Sequence, residues 1–167
     1  AADALGFLVI ECPGFEADDI IGTSAQMAKE AGDIHTYILT GDRDSLQLID
    51  DTTTVILAKT KEDVTFDEAY FRGEYGISPA QFVDVKALMG DSSDNIPGVA
   101  GIGEKTALKL IQTAGSLDAL YGNPTYFGQS AGTVKKLDAG RDSAYLSREL
   151  AEISREAPIC SADELFR

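Results

Sequence analysis

Three short apolar runs mark the first third of the chain, at 7–10 (FLVI), 37–39 (YIL) and 55–57 (VIL). Continuous runs of branched apolar residues are typical of strands buried on both faces, as in a parallel sheet. Apolar and small residues recur at helical spacing across Glu16 to Ala31, between the first two runs, and Gly32 ends that pattern. Strand, helix and strand in succession predict a βαβ unit, and therefore an α/β first half.

The pattern changes from Phe66 onward. The remaining predicted elements are all helices, separated mostly by Gly or Pro, and no strand is expected among them. We expect an approximate domain boundary between Gly90 and Pro97. Residues 157–167 are expected to form a tail or the start of a linker. The predicted helices span 67–75, 79–89, 104–113, 116–121, 133–137 and 142–153.

Composition excludes several classes of protein. The chain of 167 residues is 44% hydrophobic and 25% charged, which is close to ordinary globular usage and argues against disordered and fibrous classes. No run approaches the roughly 20 apolar residues that span a bilayer, so no membrane partner is expected. The two cysteines, Cys12 and Cys160, do not make a disulfide framework, and a reducing cytoplasm is the default location.

Charge is distributed unevenly along the chain. The formal net charge of −14 argues against a protein that simply coats nucleic acid. Residues 1–95 hold 19 acidic and 6 basic side chains, whereas residues 96–167 hold 9 and 8. The first part is therefore acidic in clusters, and bound metal ions are one explanation.

Three groups of carboxylates follow the predicted elements. The carboxyl ends of parallel strands share one edge of a sheet, so the first two groups are expected to meet there. Converging carboxylates repel one another unless cations are present, and Arg43 is the only basic residue inside these motifs. Mg²⁺ or Mn²⁺ suits such a site, and two ions about 4 Å apart can drive phosphodiester hydrolysis. The three groups are Glu16, Asp18 and Asp19; Asp42 and Asp44; and Asp91 and Asp94.

Each acidic group also has a plainer interpretation. The first would cap a helix, and the second would form an ordinary Asx turn. The loop 90–95 is similar to the magnesium loop of haloacid-dehalogenase-type phosphatases, but the early Asp-x-Asp nucleophile motif of that family is absent. No His or Cys cluster suits zinc, and His35 is interpreted as a structural residue. The three groups together favour the metal site.

A glycine-rich turn precedes the apolar helix that begins near Glu104. The sequence from Pro97 to Ala107 (PGVAGIGEKTA) leaves backbone N–H groups at a helix start, where they bind phosphate. This is the helix-hairpin-helix pattern of DNA binding without base readout; a simple turn between helices is the alternative. The spacing of a Walker A loop is absent. The expected DNA contacts are Gly98, Gly101, Ile102, Gly103, Lys105 and Thr106.

With these residues in place, four segments resemble the 5′-3′ exonuclease (5′-nuclease) domain of bacterial DNA polymerase I, in the flap-endonuclease superfamily. They are 15–22, 40–48, 86–99 and 101–107. The resemblance implies a PIN-like, resolvase-like α/β core with a mostly parallel sheet, of which residues 1–90 would form the C-terminal part. It implies an all-helical helix-3-turn-helix subdomain over residues 91–167.

The resemblance also implies roles for the candidate residues. Glu16, Asp18 and Asp19 match ligands of a first metal, and a K⁺ ion would be held by main-chain carbonyls near Val99 and Ile102. The implied activity is removal of 5′ flaps and RNA primers from nicked DNA in replication and repair. A polymerase domain in the same parent chain and a bacterial, nucleoid-associated location are implied too. The residues that match the second metal site are Asp42, Asp44, Asp91 and Asp94.

The sequence departs from the family pattern in one respect. Relatives begin with a strand that carries a metal-binding Asp, followed by a basic helical arch, and this chain lacks both. The chain is therefore expected to be a fragment with an open sheet edge. Two alternatives remain: a catalytically silent module that binds flapped or duplex DNA through its hairpin, and a magnesium phosphatase acting on small phosphoesters.

Overall fold

The computed structural model describes residues 5–166, which form two compact units. The first comprises Ala1–Asp67 with Ile153–Arg167, and the second comprises Glu68–Glu152. The expected division of the nuclease core at residue 90 stays a prediction. Within residues 5–166, no helix is both long and apolar enough to cross a membrane.

The first unit contains a three-stranded sheet. Strands β1 (Thr36–Thr40) and β2 (Thr53–Leu57) are parallel, with Thr36 opposite Thr53, and β3 (Val64–Phe66) pairs antiparallel with β2. Helix α1 (Ala17–Ala31) precedes β1 and packs against it. The runs at 37–39 and 55–57 and the helix between the first two runs are thus confirmed. The β3 strand was not predicted, because three residues are too short to show an alternating pattern.

The run at 7–10 is not a strand, and that expectation was wrong. Residues 7–10 have no regular secondary structure, and Phe7, Leu8 and Val9 are 65%, 60% and 51% exposed. A strand forms only where a neighbour supplies hydrogen bonds, and no strand of residues 5–166 pairs with this segment. An apolar run alone therefore does not make a strand.

The C-terminal segment belongs to the first unit rather than forming a tail. Ile153 N–H donates to the Gln47 side-chain carbonyl at 3.0 Å, and Ala157 N–H donates to Thr23 Oγ1 at 2.9 Å. Both bonds are buried, and a last short helix α8 (Ala162–Leu165) follows. The expected tail at 157–167 is therefore corrected: side-chain acceptors distant in sequence hold its beginning.

The second unit consists of helices and short connections. Its core is apolar, with Phe71, Phe82, Leu110 and Leu137 almost fully buried. The helices are close to those expected from the sequence, which confirms the all-helical pattern over 68–152. They are α2 (Glu68–Tyr75), α3 (Phe82–Met89), α4 (Glu104–Ala114), α5 (Leu117–Gly122), α6 (Ala131–Ala139) and α7 (Arg141–Ala151).

Candidate functional site

An acidic cluster forms in the first unit where β1 ends and α1 begins. Asp42 and Asp44 follow β1 directly, and Asp18 lies in the first turn of α1. Burial raises the pKa of Asp18 above its usual value, and the charges of four neighbours raise it further. The structure therefore brings together the first two predicted groups. In order of effect, the neighbours are Asp42, Asp44, Glu16 and Asp19.

Some of these carboxylates also stabilise the local backbone. The Asp19 carboxylate accepts hydrogen bonds from Glu16 N–H at 3.1 Å and from Ser154 N–H at 2.8 Å. Asp42 accepts from Asp44 N–H at 2.9 Å and so closes the turn after β1. The helix cap and the Asx turn expected as plainer alternatives are thus both present.

Asp18 differs from its neighbours. Its carboxylate has no hydrogen-bond or ion-pair partner within residues 5–166, and the charged groups that raise its pKa, in addition to burial, are all carboxylates. Capping does not explain a half-buried carboxylate surrounded by four others, because each added negative charge disfavours the ionised form. A divalent cation with oxygen ligands would relieve that repulsion, and the donor set of the cluster fits one.

The second unit carries the third acidic group. Asp91 and Asp94 lie in the loop after α3, and one carboxylate oxygen of each lies within 4.8 Å of the other. The loop is closed by the Asp91–Ile96 bridge, whose backbone bonds measure 2.9 and 2.8 Å. Asp91 also accepts from Ser93 N–H at 2.9 Å and from the Ser93 hydroxyl. The loop therefore holds Asp91 in a fixed orientation.

A buried lysine adjoins this loop, and the sequence analysis did not single it out. Lys86 is 3% exposed, and its Nζ lies 2.6 Å from an oxygen of Asp91. The Lys86 ammonium, and then the Ser93 hydroxyl, hold the pKa of Asp91 far below its usual value. The sequence does carry a signal for this residue, because Lys86 is the one basic residue in the mostly apolar helix α3 (FVDVKALM).

The predicted hairpin is a tight turn packed against α3. Gly98 has a φ of +61°, and a Cβ there would lie 2.3 Å from the Gly90 backbone nitrogen. Only glycine allows this approach. Val99 and Ile102 are 2% and 4% exposed, so the turn is anchored by its own apolar side chains.

The start of α4 is open at the hairpin. Gly103 is the residue before the helix and offers no side chain to cap it, so amides of the first turn lack an intrahelical acceptor. Lys105 and Thr106 are exposed in that turn. A helix start whose first amides lack intrahelical acceptors, with a lysine in the first turn, is an arrangement suited to binding phosphate.

Three polar side chains from α6 and α7 hold the hairpin by hydrogen bonds to its backbone. Gly98 N–H donates to Ser147 Oγ at 2.8 Å, and Ser143 Oγ donates to the Gly98 carbonyl at 2.6 Å. Lys136 Nζ donates to the Gly101 carbonyl at 3.0 Å. These partners lie 35 to 49 residues away in sequence, so no local pattern could have shown them.

An α/β unit with an acidic cluster at its strand end and a helical unit with a glycine-rich turn at an open helix start are together typical of a class of nuclease folds. Residues 1–76 match the family described as the 5′-3′ exonuclease N-terminal resolvase-like domain. Residues 77–166 match the 5′-3′ exonuclease C-terminal SAM fold. The chain therefore belongs to the 5′-3′ exonuclease family, which confirms the resemblance and the fold class expected from the sequence.

Relatives and solved structures agree with this assignment. The 5′-3′ exonuclease of Halalkalibacterium halodurans is 44% identical, over 98% of this chain and 54% of its own length. DNA polymerase I of Lactococcus lactis subsp. lactis is 46% identical, over 94% of this chain and 18% of its own. The T5 D15 protein, co-crystallised with metal ions, has the same fold, with a TM-score of 0.77 at 22% identity over 90% of this chain and 55% of its own. The chain thus spans about half of the exonuclease relative.

Proposed function

We propose that this chain carries metal-binding carboxylates and the DNA-gripping hairpin of a 5′-3′ exonuclease and 5′-flap endonuclease. The observation that carries the proposal is the acidic cluster around Asp18, where burial and four neighbouring carboxylates raise the pKa. Such an arrangement costs stability in the absence of a cation, so its presence favours a functional site. The family to which the chain belongs supplies the reaction class.

The proposed ligands come from both units, and the proposed metal is Mg²⁺ or Mn²⁺, two ions in all. When bound, these ions would supply an activated water and neutralise charge on the phosphate. Lys86 orients Asp91 by its ion pair, and the Ser154 N–H bond orients Asp19. The ligands are Glu16, Asp18, Asp19, Asp42 and Asp44 in the first unit and Asp91 and Asp94 in the second.

The proposed substrate is DNA with a 5′ flap, a nick or an RNA primer. The hairpin amides and Lys105 would hold the phosphate backbone without reading bases. A K⁺ ion near Val99 and Ile102 belongs to the proposal: the Val99 carbonyl accepts one bond, from Ile102 N–H at 3.0 Å, and keeps a second lone pair. We further propose that the parent protein acts at the bacterial nucleoid, with or without a polymerase domain in the same chain.

Cleavage of a labelled 5′-flap duplex in Mg²⁺ or Mn²⁺ tests the activity. We expect Asp18→Asn and Asp91→Asn to reduce any cleavage at least a hundredfold. Glu62→Gln, which removes an exposed charge between β2 and β3, is the matched control and should cleave normally. Equal cleavage by Asp18→Asn and by Glu62→Gln would refute the assignment of Asp18.

A second candidate is a silent DNA-binding module, and the observation that favours it is the open start of α4, where Lys105 and Thr106 are exposed. It predicts flap binding that weakens with salt and no turnover. Lys105→Ala should then lower affinity several-fold, with exposed Lys109→Ala as the control. Cleavage above the level of Asp91→Asn would exclude this candidate.

A further inference from the structure

Residues 153–157 of the first unit form a bridging segment between the two elements that carry the acidic cluster. The first two amides of this segment are consecutive in the chain, yet their acceptors belong to different elements. Ile153 N–H donates to the Gln47 side-chain carbonyl at 3.0 Å, and Ser154 N–H donates to the Asp19 carboxylate at 2.8 Å. The bridging segment therefore links the helical turns after β1 to the start of α1.

Gln47 lies in the same short helix as the second acidic group. Asp42 caps this 3₁₀ helix, which spans Arg43–Leu48, and Asp44 lies in its first turn. Side chains three residues apart eclipse one another in a 3₁₀ helix, so Asp44 and Gln47 share one face. Gln47 is 5% exposed, and its hydrogen bond to the bridging segment is buried. Holding Gln47 in place therefore holds the turn that presents Asp44.

The other attachment of the bridging segment is the first turn of α1. Asp19 follows Asp18 directly, and its carboxylate also accepts from Glu16 N–H at 3.1 Å. Gly22 lets the segment come close to the helix, because a Cβ at that position would lie 2.8 Å from Ile153 Cγ2. The bridging segment is therefore both packed and hydrogen-bonded against the part of α1 that carries the first acidic group.

We propose that Gln47 is a positioning residue of the acidic cluster, and that through residues 153–154 it fixes the spacing between Asp44 and Asp18. The five carboxylates of the cluster repel one another, so without a restraint the two elements would move apart. The bridge preserves the spacing that a cation with oxygen ligands requires. Because the cluster is the metal site of the proposed function, this role of Gln47 rests on that proposal.

A purely structural role for the bridging segment is the alternative, and Thr23 provides the comparison. Its hydroxyl accepts from Ala157 N–H at 2.9 Å, which is another buried bond of the same segment. Thr23 is 4% exposed, almost the same as Gln47. However, Thr23 lies in α1, one turn beyond Asp19, so its bond joins the segment to that helix alone. Loss of either bond lowers stability, whereas only loss of the Gln47 carbonyl releases the 3₁₀ helix.

Hydrogen exchange of the metal-free chain in EDTA tests the restraint. Gln47→Met keeps the length of the side chain and removes the acceptor. We expect the Asp44 amide, which donates to Asp42, to exchange about tenfold faster in Gln47→Met than in wild type. The rates are corrected for overall stability with the Val55 amide of the central strand β2. Thr23→Val should leave the corrected rate within about twofold of wild type. Gln47→Asn, whose acceptor is drawn back by one methylene, replaces Gln47→Met if that variant does not fold.

Uptake of Mn²⁺, measured from the EPR signal of the free ion, tests the consequence for metal binding. We expect Gln47→Met to weaken Mn²⁺ binding about tenfold and Thr23→Val to leave it within about twofold of wild type. An unchanged corrected rate at Asp44, equal effects of the two variants, or Mn²⁺ bound as tightly by Gln47→Met as by wild type would each overturn the proposal. A wild-type chain that binds no Mn²⁺ would instead refute the proposed metal site, and the exchange rates in EDTA would still decide whether Gln47 positions Asp44.

Discussion

At the scale of single residues, Asp18 shows how the site opposes the stability of the fold. Its pKa is raised by burial and then by Asp42 and Asp44, so the folded protein holds the Asp18 proton more tightly than the unfolded chain does. The penalty is absent below the unfolded value of 3.8, grows as pH rises, and is complete above the raised folded pKa. The metal-free protein is therefore less stable at neutral pH than its apolar core alone would make it.

Replacing Asp18 should relieve this penalty. We expect Asp18→Asn to raise the thermal midpoint of the metal-free protein at pH 7 by a few degrees, since about 1 kcal/mol corresponds to roughly 2–4 °C for a domain of this size. The gain should vanish below pH 3.8, where the wild-type carboxyl is protonated. Calorimetry with EDTA at pH 7 and pH 3 measures the thermal midpoints of wild type and Asp18→Asn. A lower midpoint for Asp18→Asn than for wild type at pH 7 would contradict the electrostatic argument.

Lys86 lowers the pKa of Asp91, whereas the pKa of Asp18 is raised. Removing one partner of a buried ion pair costs about 3–5 kcal/mol, and somewhat less here because the Asp91 side chain is 25% exposed. We expect Lys86→Met to lower the free energy of unfolding at pH 7 by about 2 kcal/mol. Because the folded pKa of Asp91 is depressed, the ion pair stabilises above pH 3.8 and is lost as pH falls further.

Urea denaturation of wild type and Lys86→Met across pH 2–7 checks this dependence. The difference between the two proteins should shrink below pH 3.8. Lys59→Met, at an exposed position after β2, is the control for loss of a lysine charge. If the difference in free energy of unfolding between wild type and Lys86→Met does not change with pH, Lys86 stabilises the fold by packing and not by its ion pair with Asp91.

At the scale of elements, the sequence predicted the helices and strands whose formation depends on local residue patterns. Helical spacing gave α1 and the helices of the second unit, and branched apolar runs gave β1 and β2. The run at 7–10 failed because its state depends on a neighbouring strand and not on its own residues. The first two acidic groups do meet as predicted, although only Asp42 and Asp44 follow a strand. Ser147 and Lys136 contact the hairpin across tens of residues, and local patterns do not show such contacts.

The hairpin depends on that distant support. Ser147 is fully buried, and it is the acceptor for Gly98 N–H at 2.8 Å. Ser147→Ala leaves a buried amide without its partner, which costs about 1–3 kcal/mol. We expect that loss in urea denaturation, together with a several-fold weaker affinity for flap DNA measured by fluorescence anisotropy.

A matched serine separates the hairpin effect from loss of a hydroxyl as such. Ser24 Oγ donates to the Ile20 carbonyl within α1 at 2.8 Å, a bond that adds little to helix stability. Ser24→Ala should therefore change neither stability nor DNA affinity appreciably. Equal losses of DNA affinity in Ser147→Ala and Ser24→Ala would contradict the role of the Gly98–Ser147 hydrogen bond in DNA binding.

At the scale of the whole molecule, the net charge of −14 makes two effects of Mg²⁺ hard to tell apart. Any salt screens the repulsion among the 28 acidic side chains, whereas a bound ion stabilises by mass action according to its dissociation constant. Screening rises smoothly with ionic strength and depends little on which carboxylate is removed. Stabilisation by a bound ion grows with the logarithm of the ion concentration above the dissociation constant, and it is lost when the ligands are removed.

Thermal melts in MgCl₂ and in NaCl of equal ionic strength distinguish binding of Mg²⁺ from screening by salt. We expect Mg²⁺ to raise the midpoint further than NaCl does, because binding adds about 2.7 kcal/mol to the free energy of unfolding at a hundred times the dissociation constant. Asp42→Asn with Asp44→Asn should remove the excess but keep the NaCl response. Asp50 and Asp51 pair with Lys29 at 2.8 and 3.1 Å, so Asp51→Asn removes a similar charge outside the cluster and should keep both responses. Equal midpoints in the two salts would mean that the cluster merely repels, and the metal proposal would fall with it.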